Sequence, residues 1–228
     1  MKKIGVIYTV KPVLETLPSD IYGELGEVEL HHILDEELLG WMKKDEGMTL
    51  RQLDRMREHI RTFESEGVNC IISSCSSLGD MWDKLEGELK VPILKIDAAM
   101  MELAVETGEN ITLIATAPTT VTPSIHHLEK IAKQKGKSIK LTTLLMEDAG
   151  KALFNNDKDT FVKLLIEEAK KVENQDVIVL AQASMDIAKQ NMAYQLNLPV
   201  LSSPNPFIIN LKKNLGGVLN GNYKNKGR

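Results

Sequence analysis

The chain has 228 residues, of which 43% are hydrophobic and 26% charged, a composition that excludes extended disorder and supports a sizeable core. A net charge of -4 at pH 7 gives no reason to expect nucleic acid as a partner. No apolar run is long enough to span a bilayer, and the two cysteines are too few and too close together for a disulfide framework. We therefore expect a soluble, cytoplasmic protein with reduced thiols.

Short runs rich in β-branched residues alternate with longer amphipathic stretches, a pattern typical of a parallel sheet with crossover helices. The predicted strands, in chain order, are Lys3–Thr9, Val28–Ile33, Asn69–Ser74, Pro92–Ile96, Ile111–Thr116, Ser138–Leu145, Asp176–Ala181 and Pro199–Ser202. The clearest predicted helices are Thr49–Glu66, Thr122–Gln134 and Lys158–Val172. Thr49 and Gln52 resemble a capping box, and Gly67 stands where a helix C-terminal glycine belongs. The pattern predicts an α/β fold.

Segments of the first half of the chain recur 107 residues later without gaps. The aligned pairs are Ile4–Thr9 with Ile111–Thr116, Val68–Ser77 with Gln175–Ser184, and Leu89–Leu94 with Leu196–Leu201. Three separated segments that share one offset predict an internal duplication into two pseudosymmetric, Rossmann-like α/β halves with parallel sheets. The predicted domains are residues 1–97, joined by a C-terminal helix at about 204–228, and residues 98–203.

The same offset pairs Cys75 with Gln182, and each residue follows a predicted strand and opens the next helix. Ligands of open parallel sheets bind at the carboxyl ends of strands, and helix N-termini attract anions. If the two halves face each other across a central cleft, Cys75 and Gln182 oppose one another there. A helix N-terminus lowers the pKa of a thiol, which favours a nucleophile or an acid/base at Cys75. A buried structural cysteine is the alternative.

The second segment of interest is Ala115–Thr122, whose hydroxyls and backbone N–H groups lie at a predicted strand-to-helix turn. Such a turn can bind a carboxylate or a phosphate, although threonines also occupy turns and N-caps for local reasons. The predicted substrate-binding residues are Thr9, Ser76, Ser77, Thr116, Thr119 and Ser184. No metal site is predicted, and Asp35 is left as either a cleft residue or a solvated one.

These motifs carry a family resemblance. Cys75-Ser76-Ser77 resembles the Cys-Asn/Ser-Thr/Ser element of the aspartate/glutamate/hydantoin racemase superfamily, and Ala115–Thr122 resembles its Gly-Thr-x-x-Thr-x-x-Ser element. His31–Glu36 resembles the segment that follows the second strand in some members. The resemblance spans nearly the whole chain in order. It implies two pseudosymmetric α/β domains, an anionic substrate, and proton transfer at carbon without a cofactor.

One departure from the family pattern affects the predicted chemistry. The family's racemases use two opposed thiols, whereas this chain has Gln182 at the second position. A glutamine amide is neither a general acid nor a general base near neutral pH, and Cys70, within a predicted strand, is expected to pack in the core. Single-thiol members of the superfamily decarboxylate malonate-type acids, and their cysteine is the one in the second half.

The resemblance therefore implies a cofactor-independent enzyme with a single catalytic thiol, Cys75, and with Gln182 in the second catalytic position. Its expected substrate is a small carboxylate such as an amino acid or a dicarboxylate. An isomerase or a decarboxylase is expected rather than a two-thiol racemase. The alternative is a non-catalytic small-anion-binding protein that retains the fold, and homo-oligomerisation is left open.

Overall fold

The computed structural model describes residues 2–45 and 47–219 of the chain. They form two compact units, divided between Ile96 and Asp97 and again between Pro206 and Phe207. Residues 220–228, which the predicted closing helix includes, lie outside the described residues. The assignment of the two predicted domains as functional halves, and the cleft expected from them, stay predictions.

The first unit is a four-stranded parallel sheet with the strand order β2-β1-β3-β4. Its strands are β1 (Lys2–Tyr8), β2 (Val28–Leu34), β3 (Cys70–Ser73) and β4 (Ile93–Lys95). Its helices are α1 (Lys11–Leu25), α2 (Glu36–Lys44), α3 (Leu50–Ser65) and α4 (Gly79–Leu85). On α3 the buried residues Leu53, Met56, Ile60 and Phe63 recur at the helical period, so one face of the helix packs with Ile71 of the sheet.

The second unit has the equivalent strand order, β6-β5-β7-β8. Its strands are β5 (Asn110–Ala115), β6 (Lys140–Leu145), β7 (Val177–Leu180) and β8 (Val200–Ser202). Its helices are α5 (Ala98–Thr107), α6 (Pro118–Lys135), α7 (Glu147–Phe154), α8 (Lys158–Ala169) and α9 (Asp186–Leu196). The last helix, α10 (Pro204–Leu219), begins in the second unit and belongs to the first unit from Phe207 onwards. The parallel sheets and flanking helices confirm the predicted α/β class, and every predicted strand is observed to within two residues.

The two central strands of the second unit, β5 and β7, are buried on both faces. Val177 and Val179 join one apolar cluster, whereas the alternate residues Ile178 and Leu180 join another. Successive side chains of a strand point to opposite faces, so helices that cover both faces require the continuous apolar run that the sequence contains.

The ends of α3 follow the local signals in the sequence. The Thr49 hydroxyl accepts from the Gln52 backbone N–H while the Gln52 side chain accepts from the Thr49 N–H, which confirms the capping box. Gly67 has φ +71°, and the bonds Gly67 N–H to Glu64 O and Val68 N–H to Phe63 O close the helix. This is the Schellman arrangement, which needs the left-handed conformation that glycine adopts at little cost.

The two units repeat the same internal pairing at the 107-residue offset. Ile4 pairs with Cys70 in the first sheet as Ile111 pairs with Val177 in the second. The backbone N–H of Ser74 donates to Ile7 O, and that of Ala181 donates to Ile114 O. The origin of this equivalence by duplication stays a prediction.

No helix of residues 2–45 and 47–219 combines the length and the low polarity that crossing a membrane requires.

Candidate functional site

Cys75 lies just past the carboxyl end of β3. The N–H and the hydroxyl of Ser74 both donate to Ile7 O, at 3.1 and 2.9 Å, and so hold the end of β3 against β1. Cys75 has an extended backbone, with φ −129° and ψ 117°, and precedes a 3₁₀ turn formed by Ser76–Leu78. The position at a strand end is the one predicted. The helix that follows differs from the prediction, because it opens as a 3₁₀ turn and becomes α-helical only at Gly79.

Cys75 as a residue is partly exposed, and it packs against the apolar cluster of the first unit. Burial raises the pKa of the Cys75 thiol. The Thr9 hydroxyl, the N–H and hydroxyl of Ser77, and the N–H of Leu78 oppose this rise by favouring the thiolate. Burial outweighs them, so the pKa of Cys75 is raised and not lowered as the position at a helix N-terminus led us to expect. A group that is protonated at rest donates a proton more readily than it removes one.

Thr9 follows β1 and stands beside the Cys75 thiol. Its side chain is only 1% exposed, and its Oγ1 has no hydrogen-bond partner of ordinary geometry among residues 2–45 and 47–219. A buried hydroxyl without a partner costs free energy, which a bound acceptor would recover. Ser76 is partly exposed, whereas Ser77 is buried and its hydroxyl is engaged near the thiol.

Gln182 occupies the equivalent position in the second unit. Its backbone is extended, with φ −119° and ψ 140°, and it precedes the 3₁₀ turn Ala183–Met185. The side-chain amide of Gln182 forms two hydrogen bonds with Thr116. Oε1 accepts from the Thr116 backbone N–H at 2.9 Å, and Nε2 donates to the Thr116 Oγ1 at 2.9 Å. The Thr116 N–H is therefore engaged, and the predicted anion-binding turn has one donor fewer than the sequence suggests.

The other predicted substrate-binding residues of this unit lie on the turns next to this pair. Helix α6 begins at Pro118, and its N-cap, Ala117, makes no side-chain capping bond. Thr119 is partly exposed and lies within the first turn of α6. It is therefore not the N-cap of this helix, which was one of the local roles considered for these threonines. Ser184 is exposed on its 3₁₀ turn, unlike its counterpart Ser77, so the two turns do not present equivalent hydroxyls.

Asp35 has a structural role in the first unit. It is buried at the N-cap of α2, where its Oδ1 accepts from the Leu38 N–H at 2.9 Å. Its Oδ2 accepts from Arg55 Nε at 2.8 Å and lies 2.6 Å from His59 Nε2. Burial alone would raise the pKa of Asp35, but the hydrogen bonds from Arg55, Leu38 and His59 hold it below its usual value. Asp35 is therefore not a solvated carboxylate, and both of its oxygens accept hydrogen bonds from residues of its own unit.

Two features of the second unit have no obvious sequence signal. A Cβ added at Gly150 of α7 would lie 3.0 Å from the Thr116 Cβ and 3.1 Å from the Thr116 carbonyl oxygen. Only the presence of a glycine within a helical pattern hints at such a close approach. His127 on α6 has a side chain only 12% exposed, with Nδ1 3.5 Å from Asp97 Oδ1.

The described residues contain no group of three or more His, Cys, Asp or Glu side chains that could hold a metal ion.

Comparisons with known proteins relate the chain to one family. The sequence profile described as Asp/Glu/Hydantoin racemase matches residues 44–205, a segment that includes Cys75, Thr116 and Gln182. None of the curated proteins compared with the chain matches it in sequence.

Solved structures share the fold at low identity. A glutamate racemase from Bacillus anthracis has a TM-score of 0.74 at 14% identity, over 94% of this chain and 82% of that chain. An aspartate racemase from Picrophilus torridus has a TM-score of 0.68 at 16% identity, over 95% of both chains. A mutant of arylmalonate decarboxylase, in its sulfate-associated form, has a TM-score of 0.60 at 17% identity, over 94% of both chains. The family profile covers well over half of the sequence, and the chain therefore belongs to the Asp/Glu/hydantoin racemase family.

Proposed function

We propose that this protein is a cofactor-independent enzyme that acts on a small carboxylate with a single catalytic thiol, that of Cys75. One observation carries the proposal: of the two cysteines, only Cys75 stands at a strand end with its side chain partly exposed, whereas Cys70 is fully buried within β3. The equivalent position of the second unit holds Gln182, whose amide is neither a general acid nor a general base near neutral pH. A two-thiol racemisation is therefore not the proposed reaction.

The protonation state of the Cys75 thiol supports a role for it as a proton donor. Burial raises the pKa of Cys75, so the group is a thiol near neutral pH and can protonate a carbanion-like carbon directly. Thr9, Ser77 and Leu78 then stabilise the thiolate that remains after the transfer. Abstraction of an α-proton would first require ionisation of the thiol, which burial disfavours. This difference favours decarboxylation, or an isomerisation that ends in protonation, over racemisation.

A decarboxylation that uses these groups balances without a cofactor. The bond between the α-carbon and one carboxylate breaks, carbon dioxide leaves, and the electron pair stays on the α-carbon as the enediolate of the remaining carboxylate. The S–H bond of Cys75 then breaks, its proton joins the α-carbon, and the thiolate recovers a proton from water. Thr9, Ser76, Ser77, Thr116, Thr119 and Ser184 are the proposed substrate-binding residues.

This chain shares its fold with an arylmalonate decarboxylase and with racemases, which is compatible with the proposed reaction class. The reactions named for those proteins are theirs and not findings on this chain. The alternative is a small-anion-binding protein without turnover. The protonated thiol also suits that alternative, because a binder needs no nucleophile. A cytoplasmic location and self-association stay predictions from the sequence.

The test is incubation with a panel of malonate-type acids and amino acids in D₂O, followed by NMR and chiral chromatography. We expect carbon dioxide release or an isomerised acid, with deuterium entering on one face of the α-carbon. Cys75→Ser should abolish this reaction, because a hydroxyl is a far weaker acid than a thiol. Cys70→Ala is the matched control and should retain the activity.

Gln182→Cys extends the same test. A second thiol is expected to allow exchange on both faces and so to produce racemic product. Activity that survives Cys75→Ser would contradict the single-thiol proposal, and acids that bind without any exchange or turnover would favour the non-catalytic alternative.

A further inference from the structure

The orientation of the Gln182 amide follows from its partner. A backbone N–H can only donate a hydrogen bond, so the amide oxygen must face the Thr116 N–H, as it does at 2.9 Å. The amide nitrogen must then face the Thr116 hydroxyl, where Nε2 lies 2.9 Å from Oγ1. An amide nitrogen has no lone pair to offer, and the hydroxyl oxygen is consequently the acceptor in this second bond.

This arrangement determines what the Thr116 hydroxyl can do. Because Oγ1 accepts from Gln182, the hydroxyl hydrogen cannot point at Gln182 and is left to donate to another group. The Thr116 side chain is partly exposed, so a ligand can reach it. In the first unit the equivalent Thr9 is 1% exposed and stands beside a thiol that supplies no amide, so its hydroxyl is not oriented in this way.

A second contact holds Thr116 from another element. The Cβ distances of 3.0 and 3.1 Å mean that any side chain at Gly150 would displace the Cβ or the carbonyl of Thr116. The backbone of α7 therefore closes against Thr116, while the Gln182 amide binds its polar atoms. Thr116 is fixed by both contacts, and neither Gly150 nor Gln182 needs to touch a ligand to influence it.

We propose that Gln182 is a positioning residue, which fixes the Thr116 hydroxyl as a hydrogen-bond donor to one acceptor oxygen of the bound acid, and that Gly150 supports this arrangement. The inference rests on the proposed function for the identity of the ligand. A carboxylate or enolate oxygen accepts such a bond, whereas an ammonium group at the same place cannot. Gln182 thus acts through Thr116 and not on the reacting atoms.

The first experiment needs no activity. In ¹⁵N NMR of the whole protein, the backbone amide of Thr116 should exchange slowly with solvent. The variant Gln182→Met keeps the length of the side chain but removes its amide. It should speed the exchange at Thr116 by about five- to tenfold, which corresponds to the loss of one hydrogen bond. Gln195→Met is the matched control, because Gln195 bonds only within α9, to Asn191. Unchanged exchange at Thr116 in Gln182→Met would overturn the assigned contact.

The second experiment is a double-mutant cycle with malonate as the probe, titrated by NMR. Thr116→Val and Gln182→Met should each weaken malonate binding, by up to about tenfold, and the double variant should be no weaker than Thr116→Val alone. Additive losses would mean that Gln182 binds the acid directly and would overturn the positioning role. If wild type does not bind malonate, the proposed substrate class and the acid-binding part of this inference both fail. The exchange experiment still judges the Gln182–Thr116 contact by itself.

Discussion

The two cysteines are expected to differ greatly in their reaction with iodoacetamide. Cys70 lies in β3, which pairs with β1 on one side and β4 on the other, and its side chain is 0% exposed. Cys75 is five residues further on, past the strand end, and is partly exposed. Since the thiolate is the species that reacts, both access and ionisation decide the rate.

Both terms act against Cys70. Burial raises the pKa of its thiol from 9.0 to about 12, which lowers the thiolate fraction near neutral pH by about 10³-fold. Access also requires β3 to open, and opening the centre of a sheet costs a free energy close to that of global unfolding, about 5–15 kcal/mol. Because burial raises the pKa of both thiols, the access cost ranks them, and a cost of at least about 5 kcal/mol makes alkylation of Cys75 at least about 10³-fold faster than that of Cys70.

Cys75 should nevertheless react more slowly than free cysteine. Burial raises its pKa, so its thiolate is scarce below the ordinary thiol range, and the labelling rate should rise with pH to a midpoint above that of the free amino acid. The hydrogen bonds from Thr9, Ser77 and Leu78 limit the increase of the thiol pKa, so a measurable labelling rate is expected near neutral pH.

Mass spectrometry of the labelled protein measures these rates. Both cysteines fall between Arg61 and Lys84 in a stretch without other Lys or Arg, so trypsin leaves them in one peptide. Fragmentation of that peptide, or the single variants Cys70→Ala and Cys75→Ser, separates the two sites. Denatured protein, in which both sites label, is the control. Equal rates in the native protein, or a faster Cys70, would refute the reasoning and leave Cys75 as a structural residue.

Two further predictions concern stability. Asp35→Asn should destabilise the protein by about 1.5–3 kcal/mol, since it removes a charged partner of Arg55. Because the pKa of Asp35 is held below its usual value, this stabilisation is present above about pH 4 and is lost as the pH falls through the lowered pKa, so urea melts of wild type and variant should converge in acid. Gly5→Ala should cost about 1–3 kcal/mol in the same assay, because the new Cβ would lie 2.7 Å from the buried Phe63 ring. Gly23→Ala, with nothing within 4 Å, is its control and should not destabilise.

The sequence predicted the central strands well because each contains a short apolar run rich in β-branched residues. Helix starts were less predictable. Helix α6 begins at Pro118 rather than at Thr122, because a proline is well tolerated in the first turn, and the helix also contains Pro123. Helix α1 contains Pro18, which argues against a helix by local propensity and is accommodated here by the surrounding packing.

The 107-residue offset located the candidate site but not its interactions. It pairs Thr9 with Thr116 and Cys75 with Gln182, and the structure brings Thr9 beside Cys75 and Thr116 beside Gln182. The direction of the thiol pKa was missed because it depends on packing against the apolar cluster of the first unit, most of whose members are distant in sequence. The close approach of Gly150 was missed for the same reason.

The two units place different chemistry on equivalent backbones. Cys75 and Gln182 share extended dihedral angles, a following 3₁₀ turn and the same spacing from their threonine partners. The difference between the positions therefore resides in the side chains. The thiol beside Thr9 offers that hydroxyl only a weak sulfur acceptor, whereas the amide beside Thr116 satisfies both its N–H and its oxygen. An amide at such a position supplies fixed hydrogen bonds but no proton donor, which agrees with the single-thiol reaction that we propose.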